Sequence, residues 1–195
     1  MCIRDRDEMI CAMREYMNVC KASKVTVRRG HTDNAKAHVG AKMKAFWRDE
    51  VKAVYTTIVP NEPRQNGCME RQWRNMANDS RTLCTHAKLP KNYVWYALRH
   101  AVEVANTLPH KDNASNCSDK LFTGHTPNVT QFRVWGCMMY AKIYNPVTKM
   151  ADKAVRCLHL GRLPSQPGYL GLDPETGKLV AVSYTHLTLP TILRV

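Results

Sequence analysis

The sequence has no run of eighteen or more apolar residues, so it predicts no membrane-spanning helix. No apolar segment of the signal-peptide type follows its first basic residues, and we expect no secretion signal. A Cys-x-x-Cys pair and a histidine pair at zinc-binding spacing are both missing, which argues against a zinc site. Without a secretion signal, we expect most of the eight cysteines to be small buried apolar side chains in a reducing compartment.

Acidic residues are also scarce, with 16 Asp and Glu against 29 Lys and Arg. The resulting formal charge of +13 favours polyanionic partners: DNA, RNA or an anionic membrane surface. The plainer alternative is a basic protein whose charge only aids solubility. A hydrophobic content of 44% is enough for a packed core, so the 195 residues fit one domain with a small second module.

The two ends of the chain are interpreted as foreign to the protein. Back-translation of residues 1–6 and of residues 182–191 gives DNA segments whose cores are reverse complements of each other. The shared segment resembles the mosaic-end adapter of transposase-based sequencing libraries. We therefore treat residues 1–6 and 182–195 as adapter artefacts and leave them out of the fold prediction.

Apolar periodicity predicts alternating helices and strands before residue 110, as in an α/β domain. The predicted helices cover residues 7–20, 35–50 and 68–88, with a fourth between Pro90 and Pro109, and the predicted short strands cover 24–28 and 51–57. In the fourth helix we expect the core-facing apolar stripe to contain Trp95, Leu98, Val102, Ala105 and Leu108.

The predicted helix 68–88 separates apolar from charged residues. At 100° per residue, one arc contains Met69, Trp73, Met76, Ser80, Leu83, Cys84 and Ala87. The opposite arc contains Glu70, Arg71, Arg74, Asn78, Arg81, Thr85 and Lys88. We expect the first arc to face a core. The second places one carboxylate beside a row of cations, and considered alone it could also be an ordinary solvated face.

The remainder of the chain has a different character. Residues 110–130 are polar and rich in turn formers, which predicts a linker. Strands are predicted at 132–144 and 155–160, and residues 169–172 and 178–181 flank a turn at Asp173–Gly177 that is typical of a hairpin. These segments predict a small antiparallel barrel or sheet over residues 131–181.

Two carboxylates are candidates for catalysis. Asp33 follows a predicted strand, and Glu70 lies in the first turn of a predicted helix, with 36 residues between them. Each has a simpler explanation, because Asp commonly bonds its own downstream backbone in turns and Glu is stabilised at a helix N-terminus.

Together with their neighbours, these residues resemble a known family. Thr32-Asp33-Asn34 and Pro63–Arg71 resemble the last two carboxylate motifs of retroviral-type integrases. Further downstream, a series of short motifs resembles those of the copia-type retrotransposon integrases. They are Leu89-Pro90 with Trp95 and Ala101, Asn106–Pro109, Arg133–Cys137, Leu158–Gly161, Gly168-Tyr169 and Asp173–Lys178. The likeness covers residues 7–181, and the order of the motifs makes it specific.

The resemblance implies a ribonuclease-H-like α/β core whose first strands are missing, followed by helices and an SH3-like antiparallel β module. In this scheme the partial catalytic core covers residues 7–110, the linker 111–130 and the SH3-like region 131–181. A copia-type retrotransposon integrase acts on DNA, as a homo-oligomer in its complete form and without a membrane. The implied localisation is the nucleus and cytoplasm, in the retrotransposon particle.

The implied reaction is 3′-end processing and strand transfer by in-line phosphoryl transfer. Two Mg²⁺ or Mn²⁺ ions, about 3.5–4 Å apart, activate the nucleophile and neutralise the leaving oxygen, and such hard cations need carboxylate ligands. Asp33 and Glu70 would be catalytic residues and metal ligands. The basic side chains Arg71, Arg74, Arg81 and Lys88 would bind DNA phosphates, and the Asn66-Gly67 loop could gate DNA entry.

The sequence departs from the family in two places. A first catalytic Asp on an upstream strand and an upstream zinc module are absent, so we expect this fragment to be inactive by itself. After Asp33-Asn34 the family usually has Gly-Gly-Glu-Phe, whereas this chain has Ala35-Lys36-Ala37-His38. A decayed or domesticated module that binds nucleic acid without catalysis is the alternative function, and a basic domain with no nucleic-acid role is a third.

Overall fold

The computed structural model describes residues 6–59, 63–143, 148, 150, 152–163 and 166–182, without the side chains of residues 6, 37, 63, 64 and 112. The chain divides into two compact units. The N-terminal unit extends to Trp73 and includes Leu121–Gly124, and the C-terminal unit contains 74–120 and the residues from His125 onward. Most of the predicted adapter lies outside the described residues. The predicted domain boundaries remain a prediction.

The N-terminal unit begins with helix α1 (Arg6–Ala22), which has Asp7 and Glu8 in its first turn and Lys21 in its last, as its dipole favours. Strand β1 (Arg29–Thr32) pairs in parallel with β2 (Val54–Thr57). Between them lie α2 (Lys36–Val39), α3 (Ala41–Ala45) and a π-helical turn (Phe46–Val51). The core of the unit contains Ile10, Met17, Met43, Phe46 and Trp47.

Three predictions in this unit are wrong in their boundaries. The predicted strand 51–57 begins only at Val54, because Phe46–Val51 forms the π-helical turn. The predicted strand 24–28 is displaced, because Lys24 has φ +58° and the amide of Val25 bonds back to the carbonyl of Cys20, which closes the end of α1. Strand pairing starts only where the amide of Val54 reaches the carbonyl of Arg28. The predicted helix 35–50 is interrupted at Gly40, whose backbone is extended between α2 and α3.

Helix α4 (Gly67–His86) follows a 3₁₀ turn (Pro63–Asn66), and the division between the units falls inside it. Its apolar arc is only partly covered. Ser80 and Cys84 are buried, but Met69 is 66% exposed and Trp73 is 58% exposed. The expectation that the whole arc faces a core is therefore wrong for the first two turns. The last turns supply Leu83, Cys84 and Ala87 to the core of the C-terminal unit.

The C-terminal unit contains α5 (Val94–Thr107), a short α6 (Ser118–Thr123) that begins in it, and a four-stranded antiparallel meander. The strands are β3 (Met138–Lys142), β4 (Ala154–Arg162), β5 (Tyr169–Leu172) and β6 (Leu179–Val182), paired in that order. The predicted hairpin is confirmed. Its turn is closed by the Asp173 carboxylate, which accepts the Glu175 amide at 2.9 Å, and by Gly177 at φ +69°.

Helix α5 packs through small and polar residues. Its buried positions are Ala97, His100, Ala101 and Thr107, whereas Trp95, Ala105 and Leu108 of the predicted stripe are exposed. The predicted stripe is wrong because the helix meets the sheet through the small, fully buried Ala97, which shares a core cluster with Leu160 and Leu172. The predicted long strand 132–144 is also shorter, and the expected linker 111–130 contains a 3₁₀ turn (Lys111–Asn113) and α6.

The described cysteines include both buried and exposed side chains. Of the described cysteines, all of which are free, Cys20, Cys84, Cys117 and Cys157 are buried, whereas Cys11 and Cys68 are exposed. Burial raises the pKa of the Cys84, Cys137 and Cys157 thiols.

Among the described helices, none is both long enough and apolar enough to cross a bilayer. Val182, assigned to the adapter from the sequence, lies in β6 and is buried.

Candidate metal and nucleic-acid site

Asp33 lies directly after β1, at the carboxyl edge of the parallel pair. Thr32 is in register with Thr57, so both strands end at the same edge. The next residue ties the two exits together, because the side-chain amide of Asn34 donates to the carbonyl of Ile58 at 2.8 Å. The predicted turn at Asp33 is thus found at a position where parallel strands commonly present binding residues.

The two oxygens of the Asp33 carboxylate have different surroundings. Oδ1 accepts from His38 Nδ1 at 2.5 Å and from the Ala35 amide at 3.2 Å. Of the residues that the structure describes, none donates a hydrogen bond to Oδ2. The hydrogen bond from His38, helped by the Ala35 amide, holds the pKa of Asp33 below its usual value despite partial desolvation. The side chain is 45% exposed, so a charged Oδ2 is accessible from solvent.

A polar network fixes His38 in place. Its carbonyl accepts from the Tyr55 hydroxyl at 2.8 Å, and that hydroxyl is 2.7 Å from Thr32 Oγ1. Because the tyrosine proton goes to His38, Thr32 must donate to Tyr55. The Tyr55 ring is stacked on Trp47, with centroids 5.3 Å apart and planes 12° apart. The residue beside the candidate ligand is therefore anchored to the core of the unit.

Glu70 lies in the first turn of α4, as predicted, and its side chain is exposed. It belongs to the same compact unit as Asp33. One hydrogen bond connects the segment after β2 with the 3₁₀ turn before α4. In it, the Val59 amide donates to Gln65 Oε1 at 3.0 Å. The side chains of Asp33 and Glu70 share no hydrogen-bond partner among the described residues.

The predicted Asn66-Gly67 loop is helical in the structure. Asn66 ends the 3₁₀ turn and Gly67 is the first residue of α4. A Cβ at Gly67 would meet no atom within 4 Å, so packing does not require glycine there. The loop assignment is corrected accordingly, and the gating role remains a prediction.

The predicted phosphate-binding residues are all exposed on or just after α4. Arg71 belongs to the N-terminal unit, and Arg74, Arg81 and Lys88 belong to the C-terminal unit. Arg81 donates to Asn78 Oδ1 at 3.0 Å, one turn earlier in the helix. Lys88 lies beyond the end of the helix at φ +53°, because α4 ends at His86 rather than at the predicted residue 88.

Three curated polyproteins of plant transposons are similar to this chain. The retrovirus-related Pol polyprotein from transposon RE1 of Arabidopsis thaliana is 34% identical over 145 residues, covering 72% of this chain and 10% of the relative. That from transposon RE2 of Arabidopsis thaliana is 36% identical over 126 residues, covering 63% and 8%. That from transposon TNT 1-94 of Nicotiana tabacum is 28% identical over 123 residues, covering 63% and 9%. The chain is a homologue of retrovirus-related Pol polyproteins.

The predicted resemblance to retrotransposon sequences is thereby confirmed. This Pol homologue spans about a tenth of the length of the curated relatives that it matches. No family model matches the chain. Among solved structures, one chain in the cryo-EM structure of the simian T-cell lymphotropic virus intasome in complex with PP2A regulatory subunit B56 gamma has a TM-score of 0.48 and 15% identity, covering 98% of this chain and 66% of its own length. The α/β fold class is shown by the helices and strands described above.

The side chains of this candidate site fit a divalent cation in part. Carboxylate oxygens are the ligands that Mg²⁺ and Mn²⁺ prefer, and Asp33 Oδ2 and the exposed Glu70 carboxylate are both accessible. Among the described residues there is no group of three or more His, Cys, Asp or Glu side chains placed to hold a metal ion. The described part of the chain therefore supplies ligands for a cation but not a complete set.

The network around Asp33 was not predicted from the sequence. His38 was noted only as a departure from the family motif, Thr32 was noted only as part of that motif, and Tyr55 was not singled out. The contact between His38 and Asp33 depends on the short α2 helix that Ala35 initiates, through its carbonyl bonds to the amides of His38 and Val39. No spacing rule predicts that a side chain five residues away returns to the carboxylate.

Proposed function

We propose that the chain is a segment of a retrotransposon integrase that binds DNA and that, in its complete form, performs metal-dependent 3′-end processing and strand transfer. The observation that carries the proposal is the position of Asp33. It lies at the carboxyl edge of two parallel strands, and the exit of the second strand is hydrogen-bonded to the turn that starts the helix of Glu70. The homology to Pol polyproteins supports it independently.

In this proposal Asp33 and Glu70 hold Mg²⁺ or Mn²⁺ through their exposed oxygens. When bound, the cations would polarise the phosphodiester and lower the pKa of the attacking water. A further carboxylate would come from elsewhere in the longer protein, so this chain alone would bind metal weakly and would not catalyse strand transfer. Homo-oligomerisation of the complete protein, and its presence in the nucleus and cytoplasm, belong to the same proposal.

DNA would be bound through phosphates by the exposed cations Arg71, Arg74, Arg81 and Lys88. Ion pairs among the described residues do not neutralise these cations. The acidic residues of α4 are Glu70 and Asp79, and neither forms an ion pair. A basic, exposed helical surface of this kind binds the backbone without reading its sequence.

Metal binding is tested with Mn²⁺ on the full chain, by electron paramagnetic resonance of the free ion. We expect Asp33→Asn to abolish the tightest binding and Glu70→Gln to weaken it, because each removes a charged oxygen ligand. Asp79→Asn is the matched control, since it removes an exposed carboxylate from the same helix. Equal Mn²⁺ binding by the wild type, Asp33→Asn and Asp79→Asn would remove the metal site from the proposal.

DNA binding is tested by fluorescence anisotropy with a labelled duplex over a range of salt concentrations. The Arg74→Ala/Arg81→Ala double variant should weaken binding, and its log–log salt slope should fall by about two phosphate contacts, or roughly 1.8. Lys153→Ala/Arg156→Ala removes two other exposed cations and should change binding less. Intact DNA binding combined with no metal binding would favour the decayed, non-catalytic module instead.

A further inference from the structure

His38 is the only side chain that, in the described part of the structure, donates to the candidate metal ligand. We propose that His38 is a positioning residue for metal binding: its imidazole holds Oδ1 of Asp33 so that Oδ2 faces the cation. The inference rests on the proposed function, since it assumes that Asp33 binds metal, and it adds a residue that the family motif does not contain.

The carboxylate is held at one oxygen by two donors from different directions. The His38 ring nitrogen is 2.5 Å from Oδ1 and the Ala35 amide nitrogen is 3.2 Å from the same atom. A carboxylate attached at one oxygen in this way cannot rotate freely about its last torsion angle. The rotational freedom that a free carboxylate loses on binding a cation is therefore already lost, which favours binding.

His38 itself has little freedom to move away. Its amide donates to the carbonyl of Ala35 at 2.8 Å, and its own carbonyl accepts from Tyr55 at 2.8 Å. The side chain is 23% exposed, so most of the ring is covered. Tyr55 is in turn stacked on the buried Trp47. The orientation of the imidazole is set by the core of the unit rather than by solvent.

A direct ligand role for Nδ1 of the imidazole is inconsistent with this geometry. Next to a charged carboxylate oxygen, Nδ1 carries the proton, and a protonated nitrogen has no lone pair for a metal. Hydrogen bonds that orient a metal ligand are a common outer layer of metal sites, and removing one typically lowers metal affinity by about 10- to 100-fold. Because Asp33 is half-exposed, the lower end of that range is expected here.

Two substitutions separate the hydrogen bond from the shape of the ring. His38→Phe keeps a planar ring but has no donor, and it should weaken Mn²⁺ binding by about tenfold. His38→Asn keeps an N–H close to the position of Nδ1, and its affinity should stay within about threefold of the wild type. His31→Phe is the matched control. This exposed histidine bonds Thr56 Oγ1 at 2.9 Å, and the hydrogen bonds described for Asp33 come from His38 and Ala35 instead.

The measurements are Mn²⁺ dissociation constants of the full chain at one fixed pH, by electron paramagnetic resonance, with Mg²⁺ measured by competition. Far-ultraviolet circular dichroism verifies that each variant is folded. A parallel loss for Mg²⁺ and Mn²⁺ in His38→Phe, with recovery in His38→Asn, supports the positioning role. A loss for Mn²⁺ alone would indicate direct ligation and overturn it. Tighter binding in His38→Phe would indicate that the imidazole competes with the cation, which also overturns it.

Failure of the inference is distinguishable from failure of the proposed function. If Asp33→Asn abolishes binding while His38→Phe binds like the wild type, the metal site stands and the positioning role is refuted. If His38→Asn loses as much affinity as His38→Phe, the donor is not what matters, and the inference is again refuted. If Asp33→Asn binds Mn²⁺ like the wild type, the metal site itself is refuted.

Discussion

The two compact units differ in how often their buried polar atoms lack a hydrogen-bond partner. In the N-terminal unit, Asp33, His38 and Tyr55 satisfy one another at an accessible sheet edge. Among the described residues, the C-terminal unit has four buried polar atoms without a hydrogen-bond partner (His100 Nδ1, Glu103 Oε2, Arg133 Nε and His159 Nε2), and the N-terminal unit has one, Trp47 Nε1. The difference indicates where each unit is vulnerable. The first unit presents accessible polar groups that a ligand can contact, whereas in the second the buried polar atoms without partners lower stability.

The units also differ in how the backbone is packed. Gly136 in the C-terminal unit combines φ +76° with a position where an added Cβ would lie 2.2 Å from Cβ of Ala87. Gly30 in the N-terminal unit lies in a strand without positive φ, and the atom nearest to an added Cβ would belong to the Trp47 ring, at 2.6 Å. The C-terminal unit therefore requires glycine for conformation as well as for space.

The largest expected effect is that of Gly136→Ala. Left-handed backbone costs a residue with a Cβ roughly 1–2 kcal/mol, and overpacking against Ala87 costs about 1–3 kcal/mol more. We expect a loss of about 3 kcal/mol in the free energy of unfolding of the C-terminal unit. Urea unfolding followed by fluorescence of Trp135, which is buried in this unit, measures it.

Gly177→Ala is the matched control for that substitution. Gly177 also has positive φ, at +69°, but no atom lies within 4 Å of the added Cβ. It should therefore show the conformational cost alone, about 1 kcal/mol. Equal losses at the two glycines would mean that Ala87 moves aside without cost, and the packing difference between the units would have no energetic meaning.

The second effect is a loss of stability of the C-terminal unit in acid. Burial, followed by the neighbouring charge of His100 and Arg133, lowers the pKa of His159 to about 4, and burial also lowers the pKa of His100. Below about pH 6.5, His159 becomes protonated in the unfolded chain, whereas in the folded chain it stays neutral until about pH 4. Stability is thus complete above pH 6.5 and falls by on the order of 3 kcal/mol by pH 4.

The N-terminal unit should respond differently over the same range. The pKa of Asp33 is lowered, so the contribution of its carboxylate is present above the unfolded pKa of about 3.8 and is lost only in stronger acid. Hydrogen exchange by mass spectrometry at pH 7 and pH 5, corrected for intrinsic rates, compares the units directly. His159→Phe should flatten the acid response, and the exposed His86→Ala should not. Equal deprotection of both units would contradict the comparison.

The sequence was sufficient for elements whose signal is local. The β5–β6 hairpin was predicted because Asp173 and Gly177 specify the turn, and the start of α4 was predicted close to its true position. The faces of helices were harder. Trp73 and Trp95 were predicted to face a core because they are large and apolar, but burial depends on which surface a helix meets. Helix α5 uses the small Ala97 for that contact.

The positions of Asp33 after a strand and of Glu70 in the first turn of a helix were predictable, but the hydrogen bonds of Asp33 were not. Asp33 could be located because a strand and a turn precede the short helix, and Glu70 because helix periodicity places it among cations. The partner of Asp33 depends on the break at Gly40 and on Tyr55, which arrives from the other strand. Contacts that join segments distant in sequence are not contained in any local pattern.

The smallest expected effect concerns that network. Tyr55→Phe removes the hydroxyl that donates to the His38 carbonyl at 2.8 Å and accepts from Thr32 at 2.7 Å. Stacking on Trp47 is retained, so the loss in the free energy of unfolding of the N-terminal unit should be only about 1 kcal/mol. Urea unfolding of a variant in which Trp47 is the reporting tryptophan measures it, and the exposed Tyr16→Phe of the same unit is the control.

The same variant tests whether the network acts on the carboxylate. If Tyr55 anchors His38, removing its hydroxyl should weaken Mn²⁺ binding by a few-fold, less than His38→Phe does, because the imidazole remains but is held less firmly. A stability loss without any change in Mn²⁺ affinity would mean that Tyr55 only supports the fold. The orientation of the Asp33 carboxylate would then depend on His38 and Ala35 alone, and metal binding would be independent of the contact between Tyr55 and the core.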